Sequence, residues 1–405
     1  MEEYIKESAE SWELGRSKSI TFIVTKDCQL ACKYCYLVGK NSQERMTFDI
    51  AKKAIDYILD NEGLFKEESV VWDFIGGEPF LEITLIDTIC DYIKTELFRR
   101  NHHWFNSYRF SFSTNGINYD SEAVQKFIKK NHTHLSIGIT IDGTKRKHDL
   151  NRIWKGHQPE KGSYDDVVRN IPLWLSQFPQ GGTKVTISSA DIPYVKESVL
   201  HLFKLGIDEV HINCVFENVW KEGDEIIFEN QLLELADAII DNNLYENNVC
   251  SFFSEQIGKP QNDNHNWCGA GKMLSIDAAG NFYPCTRFAQ YSLRDKKAWI
   301  IGNVKDGIDK NKLRPFLTLD RCTQSRQECI DCEVASGCAW CQGENYDAAD
   351  TPTINQRAIA ICKMHKARVR ANNYYWNKLY RKLELEGIAK EEAKGHVKKS
   401  NSNNC

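Results

Sequence analysis

From residue 19 to residue 215 the chain alternates two hydrophobic patterns. Short β-branched and aromatic runs read as strands: SITFIVT at 19–25, SVVWDFI at 69–75, YRFSFST at 108–114, LSIGITI at 135–141, KVTISSA at 184–190 and EVHINCV at 209–215. Between them apolar residues recur at helical spacing. Ala51, Ile55, Ile58 and Leu59 follow Thr47, a good N-cap, and Ile83, Ile86, Ile89, Cys90 and Ile93 form a second stripe. Strands separated by helices predict βαβ units, a parallel sheet and right-handed crossovers. Six units fall short of the eight of a closed barrel. The expected fold is therefore α/β, a partial open (β/α)6 barrel over residues 20–215, whose chemistry belongs at the C-terminal ends of the strands.

The pattern changes outside that stretch. Residues 1–19 form an N-terminal extension, and 216–265 read as a mostly helical bridge ending in the polar GKPQNDNHN. Residues 266–365 are loop-rich and dense in cysteine, and 366–405 read as a solvated helix (YYWNKLYRKLELEG) with a basic tail.

Composition narrows the function classes. In 405 residues, Lys plus Arg number 52 against 56 Asp plus Glu, a net charge of −4 that gives no broad nucleic-acid surface. No apolar run is long enough to span a bilayer, and the acidic N-terminus carries no secretory signal, so a cytoplasmic protein is expected. Cysteine is the informative residue. There are 15, eight of them between Cys268 and Cys362 and three more at Cys28, Cys32 and Cys35. In a reducing compartment such clusters point to metal ligands or catalytic groups rather than disulfides. Cys90, Cys214, Cys250 and Cys405 are scattered and read as small buried hydrophobes or, for Cys405, a bystander in the tail.

Cys28, Cys32 and Cys35 lie in DCQLACKYCYLVGK, the loop after the first predicted strand. Thiolates suit iron–sulfur clusters, and a cubane takes four ligands, so three cysteines leave one iron open to chelate an amino and a carboxylate group. Zinc is the alternative, but its usual pattern needs a second CxxC or HxxxH nearby.

CxxxCxYC after a first strand resembles the signature of the radical S-adenosylmethionine (SAM) family. GGEP at 76–79 after the second strand, FSTNG at 112–116 ending the third, and TIDG at 140–143 followed by Arg152 extend the likeness. The resemblance implies a [4Fe–4S] cluster on the three cysteines and SAM against it. Gly76, Gly77 and Glu78 would meet its amino group through their backbone, and Ser113 and Asn115 its ribose or carboxylate. Arg152 would pair with the carboxylate, and Tyr34 would lie against the adenine. It further implies cleavage of SAM to a 5′-deoxyadenosyl radical that abstracts hydrogen from a substrate.

Downstream, GNFYPC ending at Cys285 and CIDCEVASGCAWC from Cys329 to Cys341 are similar to the SPASM extension of that family, although Cys341 follows Cys338 with two intervening residues where the family has three. By that likeness Cys329, Cys332, Cys338 and Cys362 would bind one auxiliary [4Fe–4S] cluster, and Cys268, Cys285 and Cys341 another. Cys322 and Cys250 are rivals for a fourth ligand to the latter, and zinc in the same thiolates remains open. SPASM proteins resemble one another in acting on peptides. The layout looks closest to the maturases of ribosomal peptides that form cysteine thioethers (sactipeptide and ranthipeptide types). Partners then expected are a Cys-containing precursor peptide, an electron donor such as a flavodoxin or ferredoxin, and a separate leader-recognition protein, because only about twenty residues precede the first strand, too few for a recognition domain. Three alternatives stay open: formylglycine formation as in anaerobic sulfatase maturases, carbon–carbon crosslinking, and a non-enzymatic electron carrier or zinc scaffold. In the sulfatase maturases an Asp follows the Gx4C cysteine as a base. Here Thr286 and Arg287 follow Cys285.

Overall fold

The computed structural model describes residues 16–40, 42–254, 268–318, 325–335, 338, 341–350, 357–388 and 397. All six predicted strands are present: β1 (Ser17–Thr25), β2 (Ser69–Gly76), β3 (Tyr108–Thr114), β4 (Leu135–Ile139), β5 (Thr183–Ile187) and β6 (Glu209–Cys214). They fall into two sheets. β1 to β4 run parallel in sequence order, and β5 pairs with β6, which pairs with β7 (Val249–Cys250). The seam between the sheets is made by a side chain. The Thr183 hydroxyl donates to the Ile139 carbonyl at 2.6 Å and accepts the Ile141 N–H at 3.1 Å. A hydroxyl therefore satisfies the backbone where a ladder would otherwise run.

The four β1–β4 strands have unlike faces. Phe22, Trp72, Phe74, Phe110 and Phe112 stack along one face and are buried beneath the helices α1 (Phe48–Asp60), α2 (Ile83–Arg99) and α3 (Glu122–Asn131). Helix α1 begins where its sequence says it should, with Thr47 accepting the Ile50 N–H at 3.4 Å and Ala51, Ile55, Ile58 and Leu59 buried. The opposite face carries a polar row, because registered partners across β1, β2, β3 and β4 are Thr21, Asp73, Ser111 and Ser136. Parallel sheets usually read as apolar on both faces. A polar row thus marks a face meant for something other than core.

Three findings depart from the sequence reading. Four short strands, β8 (Leu274–Ile276), β9 (Asn281–Tyr283), β10 (Gly302–Asn303) and β11 (Gly307–Ile308), extend the large sheet beyond β1, with β8 parallel to it and the rest antiparallel. The cysteine-rich region is thus continuous with the first sheet. The segment read as a helical bridge supplies the neighbour of α4 (Val195–Lys204), α5 (Asp224–Asp241), and strand β7, while residues 255–267 lie outside the described residues. The terminal helix is not a solvated one. It runs Cys362–Leu385 and buries Met364, Ala367, Ala371, Tyr375, Leu379 and Leu383, with Arg370 and Lys378 pairing with Glu229 and Asp237 of α5. Those apolar residues recur every three or four positions, and that stripe outweighs the basic charge around it.

Candidate active site

The loop after β1 carries Cys28, Cys32 and Cys35, and its backbone is bonded on several sides. Ala31 N–H donates to Ile153 O at 2.8 Å, Lys33 N–H to Asn151 O at 2.9 Å, and Lys155 N–H to Gln29 O at 2.9 Å. Leu30 N–H points at Cys28 Sγ, 3.3 Å away. The thiols of Cys28 and Cys32 are pushed up by burial above all, Cys28 to about 12; Cys28 also feels Glu78 and Cys32, while Cys32 feels Arg152, which favours its thiolate, and Cys35. The donor set is three soft thiols on one loop, which fits an iron–sulfur cluster with one iron left open.

The GGEP turn packs directly on this loop. Gly77 N–H donates to Thr25 O at 3.0 Å and Glu78 N–H to Asp27 O at 2.9 Å. A Cβ on Gly77 would sit 2.1 Å from Asp27 O and 2.9 Å from Cys28 Cβ, so only glycine permits the approach. The Glu78 side chain is buried and does structural work. It accepts from Thr114 Oγ1 at 2.6 Å, Asn115 N–H at 2.7 Å and Phe80 N–H at 3.0 Å, tying the ends of β2 and β3 together. Asn115 is likewise engaged, with its amide donating to Gln29 Oε1 at 3.1 Å and its Oδ1 accepting Ile117 N–H at 2.9 Å. Ser113 stays exposed one residue before the end of β3.

Tyr34 and Arg152 meet, as a shared site requires. Arg152 donates from Nη1 to the Tyr34 hydroxyl at 3.0 Å, and that hydroxyl donates to Asp142 Oδ2 at 2.5 Å. The Arg152 Nε is buried and has no partner among the described residues. An unpaired guanidinium N–H beside the cysteine loop fits a carboxylate. Asp142 belongs to TIDG and accepts Thr186 N–H at 3.1 Å from β5. Behind it lie groups the sequence reading missed. His148 accepts Asp142 N–H at 3.3 Å and contacts Ser163 Oγ at 3.0 Å, while Lys147 and Asn151 reach Asp191 at 3.5 Å and 2.6 Å. Their partners lie up to 44 residues away, and no local pattern announces them.

The downstream cysteines gather in the two predicted groups. Cys285 is pushed far up by burial and by charge on Cys268 and Cys341, and Cys338, pushed to about 11, feels Cys362, Cys329 and Cys332. Gln342 N–H points at Cys268 Sγ, 3.4 Å away. Of the two rivals for a fourth ligand, Cys250 lies elsewhere, buried on β7 beside Arg368, and Cys322 lies outside the described residues. Tyr36 joins the two regions, because its hydroxyl feels charge on both Cys35 and Cys285 and it bonds the Thr286 side chain. Arg287 lies over the Tyr36 ring at 4.8 Å and donates to Glu217 at 2.9 Å and Glu344 at 2.8 Å. Arg294 holds Glu344 and Asp347 in turn. No helix among the described residues is long and apolar enough to cross a membrane.

Comparison with known proteins agrees with this geometry. A family model described as a 4Fe-4S single cluster domain matches residues 15–159. An uncharacterized protein of Methanocaldococcus jannaschii is 26% identical over 300 residues, 73% of this chain and 91% of that protein. The cysteine-type anaerobic sulfatase-maturating enzyme of Clostridium novyi is 28% identical over 162 residues, 38% of this chain and 40% of that enzyme. Among solved structures, anSMEcpe with bound AdoMet and Kp18Cys peptide superposes with a TM-score of 0.66 at 20% identity, over 89% of this chain and 99% of that one. SuiB of Streptococcus suis bound to its precursor peptide SuiA gives a TM-score of 0.57 at 13% identity, over 89% and 79%. In its cysteine loop, in the strand-end turns that brace it and in its fold the chain is similar to these proteins, and the match to a 4Fe-4S single cluster domain spans the strands β1 to β4.

Proposed function

We propose that the chain is a peptide maturase that forms cysteine thioether crosslinks in a ribosomally made precursor. In this reading the six parallel strands make a partial open (β/α)6 barrel, and Cys28, Cys32 and Cys35 hold the SAM-binding [4Fe–4S] cluster. The backbone at Gly76, Gly77 and Glu78, together with Ser113, Asn115, Tyr34 and Arg152, holds SAM. Cys329, Cys332, Cys338 and Cys362 hold one auxiliary [4Fe–4S] cluster, and Cys268, Cys285 and Cys341 the other. When bound, SAM and its cluster supply the 5′-deoxyadenosyl radical that abstracts hydrogen. The chain's own residues orient and shield. Arg152, braced through Tyr34 on Asp142, offers its unpaired Nε to the SAM carboxylate. The polar row Thr21, Asp73, Ser111 and Ser136 lines the open face below, where Asp73 is pushed to about 6 by burial against bonds from Thr21 and Ser111.

The observation that carries the thioether reading is the residue after Cys285. Thr286 bonds Tyr36, and Arg287 is locked between Glu217 and Glu344, so the position of the formylglycine-forming base carries no carboxylate. Chains of this fold have been solved with peptides on them, which supports a peptide substrate. A precursor peptide with cysteines, a flavodoxin or ferredoxin donor and a separate leader-recognition protein are the partners this reading requires. The test is reaction of the reduced enzyme and SAM with such a peptide. A thioether removes two hydrogens, so the product should be lighter by about two mass units and short of one alkylatable thiol. The similarity to sulfatase-maturating enzymes favours a second reading, formylglycine formation. A carbonyl-reactive aldehyde in the product would establish it instead, and loss of two hydrogens with every thiol free would mean a carbon–carbon bond.

A further inference from the structure

Cys341 is the N-cap of a short helix, Gln342–Ala348, in which nearly every polar side chain is buried. Most of them are bonded. Glu344 accepts from Arg287 and Arg294, and Asp347 accepts from Arg294 and from the N–H groups of Asp295 and Lys296. The Asn345 carbonyl accepts the Ala358 N–H at 2.9 Å. Gln342 is the exception at both ends. It is 0% exposed, and among the described residues neither its Nε2 nor its Oε1 has a hydrogen-bond partner. A buried amide left unmade forfeits its full hydration, so an orphan of this kind calls for a missing partner. Its position says where that partner lies. Gln342 follows Cys341 directly, its own N–H points at Cys268 Sγ 3.4 Å away, and both cysteines act electrostatically on Cys285.

We propose that the Gln342 side-chain amide donates a hydrogen bond to the cluster held by Cys268, Cys285 and Cys341 and thereby sets its reduction potential. The inference rests on the cluster assignment above. Cluster sulfurs accept N–H bonds, and such bonds favour the reduced, more negative state. Arg287 also lies beside Cys341, but its charge is taken up by Glu217 and Glu344. Asn345 Nδ2 is also unpartnered among the described residues, but its Oδ1 is bonded to Ala358 and it stands three residues further along the helix, whereas Gln342 directly follows the ligand Cys341.

The test is an EPR-monitored redox titration of the iron-loaded enzyme and of Gln342→Met, which keeps the length of the side chain without the amide. Gln342→Leu serves if the Met variant does not fold. The expected result is unchanged iron and sulfide with one reduction step moved to more negative potential and the others unmoved. A titration identical to wild type overturns the inference, as does loss of one cluster's worth of iron in both variants, which would make Gln342 a ligand or a packing residue. Failure of the underlying assignment looks different, because wild type itself would then lack iron and sulfide for a third cluster or hold zinc.

Discussion

The two cysteine-bearing regions are held in place by different means. The loop of Cys28, Cys32 and Cys35 hangs from β1, is braced by backbone bonds with residues 151–155 and rests on the GGEP turn. The region of Cys285, Cys338 and Cys341 has strands of two or three residues and leans on buried charge, with Arg287 and Arg294 set against Glu217, Glu344 and Asp347. In the first, the fold makes the site that the proposed cluster would fill. In the second, small loop-rich structure would need the proposed cluster as a staple. Loss of ligands should therefore cost chemistry in one region and stability in the other.

The largest effect tests the first half of that contrast. Cys28, Cys32 and Cys35 all changed to Ala should bring 5′-deoxyadenosine formation to background while the C-terminal iron and the thermal midpoint stay near wild type. Cleavage that survives in the triple variant would end the assignment, and a collapse of the midpoint would end the contrast. Gly77→Ala comes next. Its Cβ would lie 2.1 Å from Asp27 O and 2.9 Å from Cys28 Cβ, so the turn must back away from the cysteine loop. A displacement near one ångström in a positioning element costs about 10²-fold in rate. SAM cleavage should fall by roughly that much with iron retained.

How much of this was legible in the sequence follows from the range of the interactions involved. β3 occupies the predicted run 108–114, and α1 starts behind its predicted N-cap, because both are written in local periodicity. The split between β4 and β5 was not legible, since one hydroxyl on Thr183 decides it. β8 to β11 are too short to show any period, so their union with β1 could not be foreseen. The final helix was misjudged by weighing its charges above its apolar stripe. At the site, the cysteines and strand-end turns stood out as motifs. His148, Lys147 and Asp191 did not, and Asp142 stood out only as part of TIDG, because their meaning lies in partners far along the chain.

The second half of the contrast is read on stability. Cys338 sits with Cys329, Cys332 and Cys362, and the last of these begins the long final helix. Cys338→Ala should lower the thermal midpoint by roughly 6–12 °C, the shift that about 3 kcal/mol makes in a unit of 150–250 residues, together with loss of one cluster's iron. A variant that loses the iron but keeps the midpoint would show that the buried ion pairs hold this region unaided.

The smallest effect separates the regions by pH. His148 is fully buried, accepts Asp142 N–H at 3.3 Å, and is drawn down to about 3 by burial and by the neighbouring Arg152. An unfolded His takes a proton near 6.5. Between those values the unfolded chain binds a proton that the folded one refuses, so stability is full above 6.5 and falls as the pH drops. The slope is about 1.4 kcal/mol per pH unit, so about 2 kcal/mol should be lost between pH 6.5 and pH 5. Asp347, in the other region, is held below the usual carboxylate range by N–H bonds from Arg294, Asp295 and Lys296, and its contribution is lost only below about pH 4. Amide exchange compared at pH 6.5 and pH 5 should therefore show β4 and its neighbours opening more readily while the helix Gln342–Ala348 is unmoved. His148→Gln should remove that difference at a constant cost. An exchange pattern in β4 that ignores pH in both proteins would mean that the imidazole takes up its proton without opening the fold, and the buried network around Asp142 would then be looser than its distances imply.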